Sequence, residues 1–212
     1  MHLPRQWTVI VALILLLFIP IWLGIIAPNL KKIPDDFKYS AETLSLDDFY
    51  DETTKKFQGA YISKTTFSYR VIAKHKNYLE IENQFSAKAL TGKQIFSVKR
   101  IYFIDPYTWQ HVNLPKQKYR MGYLFGPHYA NKKSFYYWHV NYDSPVLLRF
   151  VTKEKIDGLT VNHYFADYST DQTKDLSYLP DVPEERGVKA NIHLQLWIEP
   201  ISGWLVKYQD NT

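Results

Sequence analysis

The sequence predicts a mainly β protein: an antiparallel β-rich domain, open-barrel or sandwich-like, carried behind one N-terminal transmembrane helix. Three observations predict it. An uncharged, almost wholly apolar run extends from Val9 to Ala27. From Thr65 onward, apolar and polar residues alternate with a period of two through run after run. Proline- and glycine-bearing turns separate those runs.

The apolar run comes first. A helix rises ~1.5 Å per residue, so this stretch crosses a hydrocarbon core ~30 Å thick. Trp7 and Trp22 lie toward its ends, where indole rings favour the headgroup layer, and Pro20 is tolerated inside a membrane helix. A cleaved signal peptide has a shorter apolar region, ~7–15 residues, and a small-x-small cleavage site. Here Ile25 is bulky and Pro28 would follow a cut after Ala27. The chain has no cysteine, which excludes a lipoprotein anchor. The expectation is an uncleaved signal anchor over residues 9–27, with residues 1–8 a short cytoplasmic tail. Arg5 flanks one side and Lys31 and Lys32 the other, so charge alone does not orient it. The short tail favours an N-in arrangement, a single-pass cell-membrane protein with the bulk of the chain extracytoplasmic.

Beyond Lys32 lie all 21 acidic residues and all but three of the 26 basic ones, so the domain itself carries only about +2. No basic stripe resembles a nucleic-acid footprint, and a nucleic-acid partner is set aside. The expected partners are membrane lipid, through residues 9–27, and a ligand or envelope protein.

Residues 28–57 read as a linker, mixed and polar, with at most a short helical turn around Ala41–Leu46. Residues 58–212 read as the β domain. Thr65, Phe67, Tyr69 and Val71 alternate with Thr66, Ser68, Arg70 and Ile72. Leu79, Ile81, Asn83 and Phe85 alternate with Glu80, Glu82 and Gln84. Further strands follow at 95–104, 135–141, 146–152, 159–167, 192–199 and 205–208, rich in β-branched and aromatic residues. In the run 192–199, Ile192, Leu194, Leu196 and Ile198 share one face.

Two turns share a pattern. Ile104-Asp105-Pro106-Tyr107-Thr108 and Ile198-Glu199-Pro200-Ile201-Ser202 each place a carboxylate before a proline and a hydroxyl two residues after it. Proline presets φ for a turn, and the carboxylate can cap the turn's amides. Both read as hairpin tips, and the pair suggests an internal repeat. Gly203 is expected to take positive φ. Leu176–Gly187, with its two prolines and closing glycine, reads as a surface loop.

Catalytic and metal chemistry find little purchase. The seven histidines include no His-x-His and no His-Glu-x-x-His, so no metal site and no cofactor is predicted. Asp167, Asp171 and Asp175 do not match a calcium loop. Ser202 lacks a nucleophile elbow and reads as a turn residue. Glu184 and Glu185 are adjacent, and adjacent residues in extended chain point apart. No catalytic residue is assigned, and the chain is not expected to be an enzyme.

Composition singles out one region. Between Tyr119 and Tyr142 lie nine aromatic rings interleaved with Arg120, His128, Lys132, Lys133 and His139. Amphipathic aromatics with a few polar groups suit ligand recognition, and they equally suit a sheet core. Alternation places Tyr136, Trp138, Val140 and Tyr142 on one face, expected to be core. It places Phe135, Tyr137, His139 and Asn141 on the other, expected to meet solvent or ligand. The candidate ligand-binding residues are Tyr137, His139, Arg120 and His128.

Several motifs carry a resemblance. Gly122-Tyr-Leu-Phe-Gly-Pro-His128, Phe135-Tyr-Tyr-Trp-His-Val-Asn-Tyr-Asp143, Leu179-Pro-Asp-Val-Pro-Glu-Glu-Arg-Gly187 and Trp197-Ile-Glu-Pro-Ile-Ser-Gly-Trp-Leu-Val-Lys-Tyr208 resemble a bacterial family of unknown function often labelled PorA-family porins. Lys31-Lys-Ile-Pro34 fits as well. The resemblance implies an N-terminal membrane helix, an antiparallel β-rich ectodomain and, in many members, a second membrane helix or a signalling module such as a histidine kinase. This chain departs from that pattern at Asp210-Asn-Thr212, straight after the last strand. It implies no catalytic or ligand residues. A porin barrel needs lipid-facing apolar bands on its strands, whereas Lys, Glu and Asp here fall on both faces of several strands. The reading is an anchored domain that senses or binds a ligand or envelope component. A carrier of lipid or hydrophobic ligand, or a porin-like envelope protein as the family label suggests, is the alternative.

Overall fold

The structure, a computed structural model, describes residues 5–27, 31–51, 54–171, 173 and 189–211. It is mainly antiparallel β in two sheets, with one apolar helix at the N-terminus.

Helix α1 spans Arg5–Ile21 and passes into a π-helical turn, Trp22–Ile26, closed by Ala27 N–H donating to the Trp22 carbonyl. Pro20 lies just before that turn and lacks the N–H a regular helix would use. Over Val9–Ile26 the mean hydropathy is 3.1 and none of the segment is buried, so it is long and apolar enough to cross a membrane.

The first sheet is a meander of β1 (Lys38–Asp51), β2 (Lys56–Lys74), β3 (Leu79–Ala89) and β4 (Gln94–Ile104). The second is a meander of β5 (Phe135–His139), β6 (Ser144–Ile156), β7 (Leu159–Asp171), β8 (Lys189–Ile198) and β9 (Leu205–Asn211). Every pairing between these strands is antiparallel. Neither sheet closes into a barrel: β1 and β4 edge one, β5 and β9 the other. All eight strands read from the alternation are present. Residues 38–51, read as linker with a helical turn, instead form β1, paired from Lys38 opposite Arg70 to Asp51 opposite Lys56. Their apolar side chains are too sparse to announce a strand, and β2 supplies the ladder that holds it. The Leu176–Gly187 segment and Asp175 lie outside the described residues.

Each sheet has its own core. Leu79, Ile81, Tyr102, Ile104, Trp109, Leu124 and Trp138 belong to the first. Tyr137, Leu148, Tyr164 and the inward row of β8, Ile192, Leu194, Leu196 and Ile198, belong to the second. The connector between β4 and β5 laces the two together. Tyr123 N–H donates to the Tyr136 carbonyl at 2.9 Å, and Trp138 N–H donates to the Tyr123 carbonyl at 2.8 Å. Strand β5 therefore lies between two cores, which corrects the expected face assignment. Trp138 and Val140 enter the first core, while Tyr137 enters the second and is only 3% exposed. His139 is fully buried, and Tyr136, expected inside, is 46% exposed.

The two proline turns match atom for atom. Asp105 Oδ1 accepts from the amides of Tyr107 and Thr108, and Glu199 accepts from those of Ile201 and Ser202. The amides of Asp105 and Glu199 donate to the carbonyls of Gln110 and Trp204, five residues on in each case. Trp109 and Gly203 occupy the same position, with φ of 65° and 75°.

Candidate functional site

The four sequence-predicted residues do not converge. Tyr137 is core. His139 lies in a sealed polar chain: Nδ1 is 2.6 Å from the Tyr168 hydroxyl and Nε2 is 2.7 Å from that of Tyr208. Tyr208 in turn donates to Asp210 Oδ2 at 3.0 Å. One tautomer satisfies this chain: Tyr168 donates to Nδ1, and Nε2–H donates to Tyr208. Burial pushes both phenols well above their ordinary range, so they stay protonated.

Arg120 belongs to a clamp. Its guanidinium stands 4.8 Å from the Tyr102 ring centre and 5.7 Å from that of Trp138, and its Nε is 3.4 Å from Asp143 Oδ1. Lys118 and the Trp138 indole N–H also donate to Asp143, at 2.8 and 3.0 Å. Burial alone would raise the Asp143 carboxyl, but Lys118, Arg120 and Arg100 outweigh it and hold it below the usual range. The clamp fixes a residue with φ of 43° at the β5–β6 turn. Its carboxylate and cations are mutually satisfied.

His128 alone lines a cavity. This pocket, of about 480 Å³, is walled by residues from four places in the chain. Lys31–Phe37, the approach from the helix, supplies Lys31, Ile33 and Phe37; the first proline turn supplies Trp109. The 122–130 loop adds Phe125, His128 and Tyr129, and the second proline turn adds Ile201, Ser202 and Trp204. Ile33 is anchored by its amide, which donates to the Pro106 carbonyl at 2.8 Å.

Two glycines allow this assembly. A Cβ on Gly203 would lie 2.5 Å from the Gly126 carbonyl oxygen, and one on Gly126 would lie 2.6 Å from the Gly203 oxygen. The second turn thus docks backbone-to-backbone on the 122–130 loop, and Tyr129 N–H donates to the Ile201 carbonyl at 3.1 Å. The docking stacks the rings. Trp109, Phe125 and Trp204 lie 5.4–6.0 Å apart centre to centre, and Phe37 meets Phe125 and Trp204 edge-on.

The polar groups are few. Burial lowers the His128 pKa below its ordinary value, so the ring is neutral at neutral pH. The carbonyls of Lys31, Ser202 and Ile201 surround it, yet Nε2 has no hydrogen-bond partner. The Trp109 indole nitrogen, on a side chain only 8% exposed, also has none. Ser202 is occupied by its turn: its hydroxyl donates to Glu199 at 2.6 Å and accepts from the Trp204 amide at 3.2 Å. At the mouth, Lys31 Nζ stands 4.5 Å over the Tyr129 ring. Lys32 and Lys74 both bind Asp35, which lowers its carboxyl pKa, Lys32 most strongly.

A second hollow, about 500 Å³, opens on the outer face of the first sheet. It is polar, and its Arg70 is held by Glu82 at 2.9 Å. Among the described residues no group of three His, Asp or Glu could hold a metal ion. Sequence reasoning missed Trp109, Phe125 and Trp204. A signal for two of them was present in the matched turns, where Trp109 holds the position of Gly203 and Trp204 follows it directly. No family model matches the chain, and no curated protein matches it in sequence.

Proposed function

We propose that this chain is an extracytoplasmic ligand-binding domain held at a membrane by its N-terminal helix, sensing rather than transforming what it binds. One observation carries the reading: an aromatic, apolar pocket begins at Lys31, only four residues after the helix ends at Ala27. Four residues span at most about 15 Å. The pocket therefore stands at the headgroup layer, where apolar and amphiphilic molecules are concentrated. Its size lies within the ~300–1,000 Å³ of small-molecule sites. The motifs that resemble the PorA-labelled family fit the same plan of helix followed by ectodomain.

A hydrophobic photoreactive probe, a diazirine-tagged alkane, tests the reading on the full chain in lipid nanodiscs. Labelling concentrated in peptides containing Trp109, Phe125–Tyr129 and Ile201–Trp204 is the expected result. Labelling confined to Val9–Ile26 refutes it. Orientation is tested by adding protease outside spheroplasts: the domain should be degraded, and protection until lysis would place it in the cytoplasm.

The apolar lining also favours a second reading, a lipid carrier. A carrier would transfer bound probe to acceptor vesicles, whereas a sensor would retain it.

A further inference from the structure

The two proline turns hold apolar side chains at the same place. Tyr107 and Ile201 each follow the turn proline, and both point outward. Neither turn needs an apolar group there, because its amides are capped by Asp105 or Glu199. Tyr129 joins them, its amide donating to the Ile201 carbonyl at 3.1 Å. The three side chains are 47 to 66% exposed. All lie beside the chain that arrives from the helix: Ile33 N–H donates to the carbonyl of Pro106, next to Tyr107, and Lys31 Nζ stands over the Tyr129 ring.

That chain fixes how near they are to a bilayer. The 18 residues Val9–Ile26 cover ~27 Å, close to the ~30 Å of a hydrocarbon core, so Ala27 stands at its boundary. Lys31 follows within ~15 Å and Ile33 within ~22 Å. Leu46 and Leu90 are just as exposed, but they lie at the far end of the first sheet. At the strand rise, Leu46 is ~27 Å beyond Lys38, where β1 starts, and Leu90 is ~36 Å beyond Leu79, where β3 starts. Apolar side chains exposed singly are ordinary, whereas three gathered at the foot of a membrane helix have a surface to meet.

We propose that the domain docks on the bilayer its helix crosses, with the side chains of Tyr107, Tyr129 and Ile201 entering the headgroup layer. Tyrosine suits that layer, its ring among the upper acyl carbons and its hydroxyl in water. Docking needs the membrane attachment inferred above and no ligand. Asp35, on the approach from the helix, is paired by Lys32 and Lys74, so its carboxylate does not face the lipid phosphates alone. Tyr129 and Ile201 also wall the aromatic pocket, so docking turns that wall toward lipid, and an apolar molecule passes between bilayer and pocket without crossing water.

The chain has no cysteine, so single cysteines carry an environment-sensitive fluorophore cleanly in the full chain. Tyr107→Cys, Tyr129→Cys and Ile201→Cys report the docked face, Leu46→Cys and Leu90→Cys the far end, and Leu16→Cys the helix. Each is placed in phosphatidylcholine nanodiscs, one chain per disc, with a nitroxide lipid labelled on the headgroup or deep in the acyl chain. Blue-shifted emission and quenching by the headgroup nitroxide are expected at positions 107, 129 and 201, with neither at 46 or 90. Tyr107 and Ile201 belong to separate turns, so either decides the matter if the other variant misfolds. Quenching at these positions no stronger than at 46 and 90 overturns the docking. So does a blue shift there without quenching, since protein rather than lipid then covers the face. Deep-nitroxide quenching at position 16 alone leaves the helix in the membrane and refutes only the docking. Its absence removes the attachment as well.

Discussion

Gly203 separates two physical costs that are usually confounded, because a second glycine serves as its control. Gly203 has φ of 75° and Gly158, in the Asp157-Gly158 turn between β6 and β7, has φ of 83°. An L side chain in the left-handed region costs ~1–2 kcal/mol, and both sites should incur it on substitution by alanine. Their surroundings differ. A Cβ at Gly158 meets nothing within 4 Å, whereas one at Gly203 falls 2.5 Å from the Gly126 oxygen and 2.7 Å from the Pro127 oxygen. Those neighbours are backbone, so the 122–130 loop and the second proline turn must separate. Overpacking of this kind adds ~1–3 kcal/mol. Gly158→Ala should then lose ~1–2 kcal/mol and Gly203→Ala ~2–5 kcal/mol. Urea unfolding of the full chain in detergent micelles, followed by tryptophan fluorescence, measures both. Equal losses would refute the backbone docking that builds the pocket, and an unchanged midpoint for Gly203→Ala would refute the positive-φ turn as well.

Three other outcomes follow from the packing. Tyr137→Ala and Trp138→Ala should each cost ~3–5 kcal/mol because β5 is buried on both sides, while the half-exposed Tyr136→Ala should stay near ±0.5 kcal/mol; a mild Tyr137→Ala in the same urea assay would restore the solvent-facing assignment. His111 is buried beside Arg120, which together lower its pKa to about 3, against a partial opposing pull from Asp143. The unfolded ring binds its proton near pH 6.5 while the folded ring does not, so stability should fall by ~1.4 kcal/mol per pH unit below that point, until the folded ring titrates. His111→Gln should flatten the stability profile between pH 6 and 4.5, above the window in which Asp143 loses its own contribution on protonation; an unaltered slope would show that the ring is hydrated. Removing residues 1–30 should yield a domain that needs no detergent and keeps its β circular dichroism, whereas a cut that takes Ile33, 2% exposed, should cost a further ~2–5 kcal/mol; β signal only in detergent would contradict the division between helix and domain.

Local chemistry alone specified much of this protein. An apolar run of membrane length needs no neighbours to be recognised, and α1 with its π turn covers it. Strand alternation is equally local: Ile192, Leu194, Leu196 and Ile198 had one buried side because a pleated strand with one polar face has a single way to lie on a core. The proline turns were legible for the same reason, since Asp105 and Glu199 cap amides two and three residues away. Tertiary structure decided the rest. Residues 38–51 became a strand because β2 offered a ladder, which their own composition does not announce. The two faces of β5 could not be ranked by polarity, because a second core and a partner chain of Tyr168, Tyr208 and Asp210 satisfy His139 from sequence distances of 29 to 71 residues. Of the four candidate residues only His128 lines the pocket, beside Phe125 and Tyr129 of the same segment. Its walls come from four separated stretches that meet where two glycine backbones touch, and side-chain patterning carries no record of a contact made by carbonyl oxygens.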